Sequence, residues 1–137
     1  MTRTFKRTLD SLEKISDFIQ GFATENRLNE KLVYILNLVI EELFTNAVKY
    51  NPGNTEDISI DLSRDSEKLV MSIIDTDVEL FDLRQVEEYD PKRNLNERRV
   101  GGLGIPLVKK MMDKIDYEYK DRKSRITLIK YLEKNHA

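Results

Sequence analysis

Apolar residues recur along this chain with two periods, and the changes between them mark out its elements. Residues 3–9 (Arg-Thr-Phe-Lys-Arg-Thr-Leu) alternate loosely, as a short edge strand does. Leu12, Ile15, Phe18, Ile19 and Phe22 follow at helical spacing. They predict a helix over 11–26, with Asp10 and Glu13 resembling a capping box in which Asp10 accepts from the early amides. Leu32, Leu36, Val39, Ile40, Leu43 and Ala47 form the stripe of a second, longer helix, capped by Asn29. That helix should end near Tyr50, because Pro52 disfavours a helical Asn51 and Gly53 permits a turn.

The period then drops to two. Ile58, Ile60 and Leu62 alternate with polar residues, which describes a half-buried strand. Residues 68–75 are apolar on both faces and read as a more central strand, joined to the first by a hairpin through Arg64–Glu67. Between Leu83 and Val100 half the residues are charged, Pro91 interrupts and no period survives, so this stretch reads as a long surface segment. Such a segment inside a compact domain is usually a functional lid or disordered. Gly101, Gly102 and Gly104 follow, then a helical pattern through Leu107, Val108, Met111, Met112 and Ile115. Tyr117/Tyr119 and Ile126, Leu128 and Leu132 alternate on either side of Asp121–Ser124, predicting a second hairpin. The order βααββ–loop–αββ gives an α+β two-layer sandwich, with one mostly antiparallel sheet covered by helices on one face.

At 137 residues the chain is expected to be a single domain over 1–137. A near-balanced charge of −2 carries no basic surplus, which argues against nucleic-acid binding. There is no cysteine and the single histidine is His136, so thiolate, disulfide and histidine-based chemistry are excluded. No apolar run approaches the ~20 residues of a membrane span, and the first residues do not read as a signal peptide. A cytoplasmic protein that does not bind membrane is expected.

Three segments carry candidate chemistry. On the second helix Asn46 lies about 40°, and Lys49 about −20°, around the axis from Glu42, so the three share one narrow stripe. They offer a carboxylate base, a carbonyl oxygen for a hard cation and an ammonium for phosphate. Magnesium keeps several waters and needs few protein ligands beside nucleotide phosphates. By spacing alone the stripe also describes a solvated helix face with a Glu–Lys pair. Gly101-Gly102-Leu103-Gly104 stands directly before a helix, where free amides and close backbone approach can cradle phosphate. A flexible hinge and tight turn would look the same. Asp75 ends the apolar strand, where a carboxylate either starts a turn or accepts from an exocyclic amine.

Taken in order, these segments resemble the ATP-binding domains of the GHKL superfamily, and more narrowly the bacterial anti-sigma-factor serine/threonine kinases. The run from Ile40 to Tyr50 resembles the N box, where glutamate precedes the magnesium-binding asparagine by four. Ile74-Asp75-Thr76-Asp77 through Phe81-Asp82 resembles the adenine box, and Gly101 to Val108, continuing to Asp113, the second glycine box. Arg125 to Lys130 resembles the closing strand. The likeness covers nearly the whole chain.

The resemblance implies a Bergerat-type ATP-binding fold with ATP and Mg2+ as cofactors. It makes Glu42 the general base, Asn46 the magnesium ligand and Lys49 a phosphate contact. Asp75 would recognise the adenine amine with support from Thr127 through water. Gly101, Gly102, Leu103, Gly104 and Ile105 would line the phosphates, with residues 83–100 as the ATP lid. The implied activity is phosphorylation of a STAS-type anti-sigma-factor antagonist and sequestration of a sigma factor, with a homodimer as in the closest members. One departure stands out. Asp77 occupies the place of the adenine box's usual glycine, so it either crowds the pocket or marks a rebuilt loop. Two alternatives use the same residues. One is an ATP-responsive protein-binding switch without kinase activity, against which Glu42 argues. The other is the catalytic half of a histidine kinase, for which no dimerisation helix with a phosphoacceptor histidine is present.

Overall fold

The computed structural model describes residues 1–81, 84 and 104–132. The expected lid at 83–100 (Arg84 apart), together with Gly101, Gly102 and Leu103, lies outside the described residues. The elements run in the order β1 (Thr2–Phe5), α1 (Ser11–Glu25), α2 (Glu30–Tyr50), β2 (Ile58–Arg64), β3 (Lys68–Thr76), α3 (Gly104–Met111), β4 (Lys114–Lys120) and β5 (Lys123–Tyr131). The strands form one sheet ordered β1-β2-β3-β5-β4, antiparallel at every pairing. The expected α+β sandwich is the one observed, with β1 at an edge and β3 in the centre.

Alternation builds the core. Ile58, Ile60 and Leu62 of β2, Leu69, Met71 and Ile73 of β3, and Leu128 of β5 are buried on one face of the sheet. They meet Ile15, Ile19 and Phe22 of α1, Leu36, Val39, Ile40 and Phe44 of α2, and Ile105 and Val108 of α3. The opposite face mixes polar residues with the half-buried Val70, Ile74 and Ile129. Thr2 donates to Asp61, Thr4 meets Ser59, and Ser72 meets Thr127 at 3.2 Å. Phe5 is the one buried residue of β1 and packs edge-on against Phe18, which ties the edge strand to α1. Among the described residues no helix is long and apolar enough to cross a membrane.

Three local expectations change. The edge strand stops at Phe5 rather than running to Leu9, because the chain turns at once: the Thr8 amide donates to Lys6 and the Ser11 hydroxyl caps the same carbonyl at 2.7 Å. Helical turns have then already begun, with Ser11 N–H donating to Thr8 and Leu12 N–H to Leu9. Asp10 is consequently in helical conformation and its side chain caps nothing, whereas an N-cap needs extended backbone. Asn29 does have that conformation, and its side chain accepts from the Leu32 amide at 2.9 Å. Finally, α3 ends at Met111 and Ile115 belongs to β4. The Asp113 amide donates to Ile129 at 2.9 Å, which captures the chain as a strand, and Ile115 pairs with Leu128.

The β4–β5 turn is tight. Asp121 and Arg122 both take positive φ (53° and 61°), the pattern of a two-residue type I′ hairpin, and fix Lys120 opposite Lys123. At the same end of the sheet the Tyr119 hydroxyl donates to the Val78 carbonyl at 2.8 Å, holding the chain that leaves β3.

Candidate functional site

Helix α2 is the hub of the site: it carries one candidate segment and packs against α3 and β3, which hold Gly104 and Asp75. Glu42 lies on it half-buried, Asn46 one turn later is 8% exposed, and Lys49 is exposed near the C-terminal end. A solvated face does not describe Asn46, because both polar atoms of its amide are buried and neither makes a formed hydrogen bond. An unpaired buried amide costs about 1–3 kcal/mol. The Glu42 carboxyl is pushed above its usual value by burial, while the Lys49 charge and the neighbouring Asn46 amide pull it partly back.

Gly104 opens α3 directly against Glu42. A Cβ placed on it would overlap the Glu42 carboxylate, so glycine is what allows the helix start to lie on the N box. Pro106 fits in that first turn because its missing N–H would have no helical partner there. Ile105 is a core residue, and only its backbone belongs to the helix start.

Asp75 sits one residue before the end of β3, on the helix-covered face and buried. Burial raises its pKa, with the Arg7 guanidinium and the Thr76 amide opposing. Arg7 comes from the β1–α1 connection and grips both carboxylate oxygens. Its Nη1 also donates to the Ala47 carbonyl of α2 at 3.0 Å, so one side chain joins Asp75 to the residue next to Asn46.

Thr127 is not brought to Asp75. It pairs with Ser72 on the face away from the helices, whereas the residue directly opposite Asp75 is Ser124, which is buried. A cross-strand pair shares one face with Cβ atoms about 4.5–5.5 Å apart. By register, Ser124 and not Thr127 is the β5 residue beside Asp75. Asp77 has a left-handed backbone at φ 57°, a conformation that glycine adopts freely. Its carboxylate turns outward to Arg122, whose Nε donates to it at 3.0 Å, and Asn54 holds the backbone through the Thr76 and Asp77 carbonyls.

Arg7 and Ser124 are the two residues that sequence reasoning passed over. The break in alternation at Lys6-Arg7 is a faint signal for the first. The second needs the β3–β5 register, which no local pattern supplies.

The residues present suit a nucleotide with a hard cation. Among the described residues no group of three or more His, Cys, Asp or Glu could hold a metal alone. Magnesium bound mainly through phosphates needs only one or two protein oxygens, and the unpaired Asn46 Oδ1 is one.

The profile of the histidine kinase-like ATPase domain family matches residues 5–130. The chain is also similar to proteins named serine-protein kinase RsbW. That of Listeria monocytogenes is 27% identical over 128 residues, which span 89% of this chain and 79% of the relative. That of Oceanobacillus iheyensis is 28% identical over 109 residues, 74% and 68% of the two chains, and that of Staphylococcus aureus is 28% identical over 109, 73% and 66%.

Proposed function

Because the chain belongs to the histidine kinase-like ATPase domain family, we propose that it is an anti-sigma-factor-type serine/threonine protein kinase that uses magnesium-ATP. The observation that carries this reading is Asn46, buried with an unpaired amide, one turn after a half-buried glutamate against which a helix start is packed. A ligand oxygen or cation that pairs with this amide would remove the cost of leaving it unpaired.

In this reading Glu42 accepts the proton of a serine or threonine hydroxyl while that oxygen attacks the γ-phosphorus and ADP departs. Its raised pKa makes it a stronger base than an ordinary surface carboxylate. Asn46 is the protein ligand of a magnesium ion that would neutralise phosphate charge, and Lys49 adds a cation at the same end of α2. Asp75, with Ser124 opposite, faces the adenine amine. Glycines 101, 102 and 104 and the 83–100 segment complete the phosphate side as cradle and lid. A switch that only grips a partner has no use for a base at Glu42. The acceptor is a STAS-type antagonist and the second partner a sigma factor, a reading supported by the kinship with serine-protein kinases and the three ordered motifs.

Asn46→Leu tests the assignment in two directions. Removing an unsatisfied buried amide should raise the stability of the nucleotide-free protein by about 1–3 kcal/mol. The same change should abolish the dependence of ATP affinity on magnesium. Denaturant titration and calorimetry read the two effects. A destabilised variant with intact magnesium dependence contradicts the reading.

A further inference from the structure

Arg7 is the most buried charged side chain near the site, at 4% exposure, and the proposed chemistry gives it no part. Four of its five N–H donors have acceptors. Nη1 and Nη2 fork onto the Asp75 carboxylate, Nη1 also reaches the Ala47 carbonyl, and Nε donates to the Glu56 carbonyl at 3.0 Å. The group thus fixes the end of β3 against the last turns of α2 and the chain entering β2. Asp75 in turn meets the Thr76 amide on its own strand and lies opposite uncharged Ser124 on β5. Arg7 is the one charged side chain acting on it among the described residues.

An ionised carboxylate is acceptor-only, with about four lone-pair positions, and the fork takes two of them. The Thr76 amide takes a third, and about one remains for an incoming donor. A protonated carboxyl also donates, and a donor at this place suits the 6-oxo group of guanine as well as an acceptor suits the 6-amino group of adenine. Burial alone favours the protonated form.

Resting on the ATP-binding reading above, we propose that Arg7 is a positioning residue that sets base specificity. It holds Asp75 ionised and oriented, so that the subsite accepts an amino-bearing purine and rejects an oxo-bearing one. The determinant of adenine choice is then a pair of residues that meet at one end of the sheet, one from the β1–α1 connection and one from β3, and not the carboxylate alone.

The test is the ratio of ATP to GTP affinity, measured by calorimetry with magnesium from about pH 6 to about pH 8.5, around the region where a buried carboxyl lacking its partner titrates. In the wild type the ratio should stay flat over this range. In Arg7→Met it should fall at least tenfold at the acid end, through gained GTP binding, and recover as pH rises and Asp75 ionises. Arg7→Lys supplies a charge without a fork and should keep most of the ratio, with a weaker drift in the same direction. If the methionine variant does not fold, the lysine variant decides, and a ratio flat and equal to wild type overturns the proposal. Equal loss of both nucleotides in Arg7→Met, with no pH dependence, also overturns it, because that is the signature of a purely structural residue. A wild type that binds neither nucleotide instead defeats the ATP-binding reading itself.

Discussion

Replacing Gly104 by alanine adds one methyl group at the point where α3 meets the N box. Backbone strain is not the issue, since Gly104 lacks the positive φ that Gly53 shows. An alanine at a compatible helical position stabilises by about 0.4–1 kcal/mol, mostly by restricting the unfolded chain. Against this, the new Cβ overlaps the Glu42 carboxyl and its last methylene, so Glu42 must leave its rotamer. A displaced side chain of this kind costs about 0.5–1.5 kcal/mol. The two terms nearly cancel, so Tm should move by less than about 4 °C. Catalysis should respond much more. A displacement of about 1 Å in a reacting group lowers rates by about 10²-fold, and a lost general base by about 10²–10⁴-fold. Thermal unfolding and single-turnover transfer from labelled ATP to a STAS-type acceptor give both numbers on the same preparation. A variant with unchanged Tm and undiminished transfer would refute the link between Gly104 and the position of Glu42.

Asp77→Gly should leave ATP affinity within about twofold, or ~0.4 kcal/mol, of wild type, because the carboxylate faces Arg122 and solvent; calorimetric tightening of tenfold would show that it crowds the pocket after all. The transfer rate should fall with acidification at a pH above the usual carboxylate range of about 4, because burial raises the Glu42 pKa and only the ionised form accepts a proton. Lys49→Met should move that inflection to higher pH, since the Lys49 charge lowers the Glu42 pKa; a single-turnover pH profile with an unmoved inflection removes Lys49 from the site.

The helices and the core strands were legible because their apolar positions keep a single period over many residues. Where a residue fits two periods the sequence could not choose. Ile115 continues the helical series Val108, Met111/Met112 and also starts the alternation Ile115, Tyr117, Tyr119; β5 settles the matter by pairing with it. Asp10 has the chemistry of a cap but lacks the backbone, which is set by hydrogen bonds beginning at Lys6. The α2 stripe was readable in the site because one helix carries it. Thr127 and Ser124 were not, because a strand's alternation says that neighbouring positions face opposite ways without saying which faces the helices. That is fixed by the turn at Asp121–Arg122 and by the pairing of Asp75 with Ser124. Arg7 was hidden for a related reason: its three acceptors are 40, 49 and 68 residues away in sequence.

The central claim is that Glu42 takes a proton from an acceptor hydroxyl beside bound magnesium-ATP. Single-turnover phosphoryl transfer to a serine or threonine of a STAS-type protein, compared between wild type and Glu42→Gln, tests it most directly. The account predicts transfer by the wild type, a loss of about 10²–10⁴-fold in the variant, and ATP affinity nearly unchanged between them. Equal transfer by both proteins, or ATP binding by the wild type with no transfer, would contradict it.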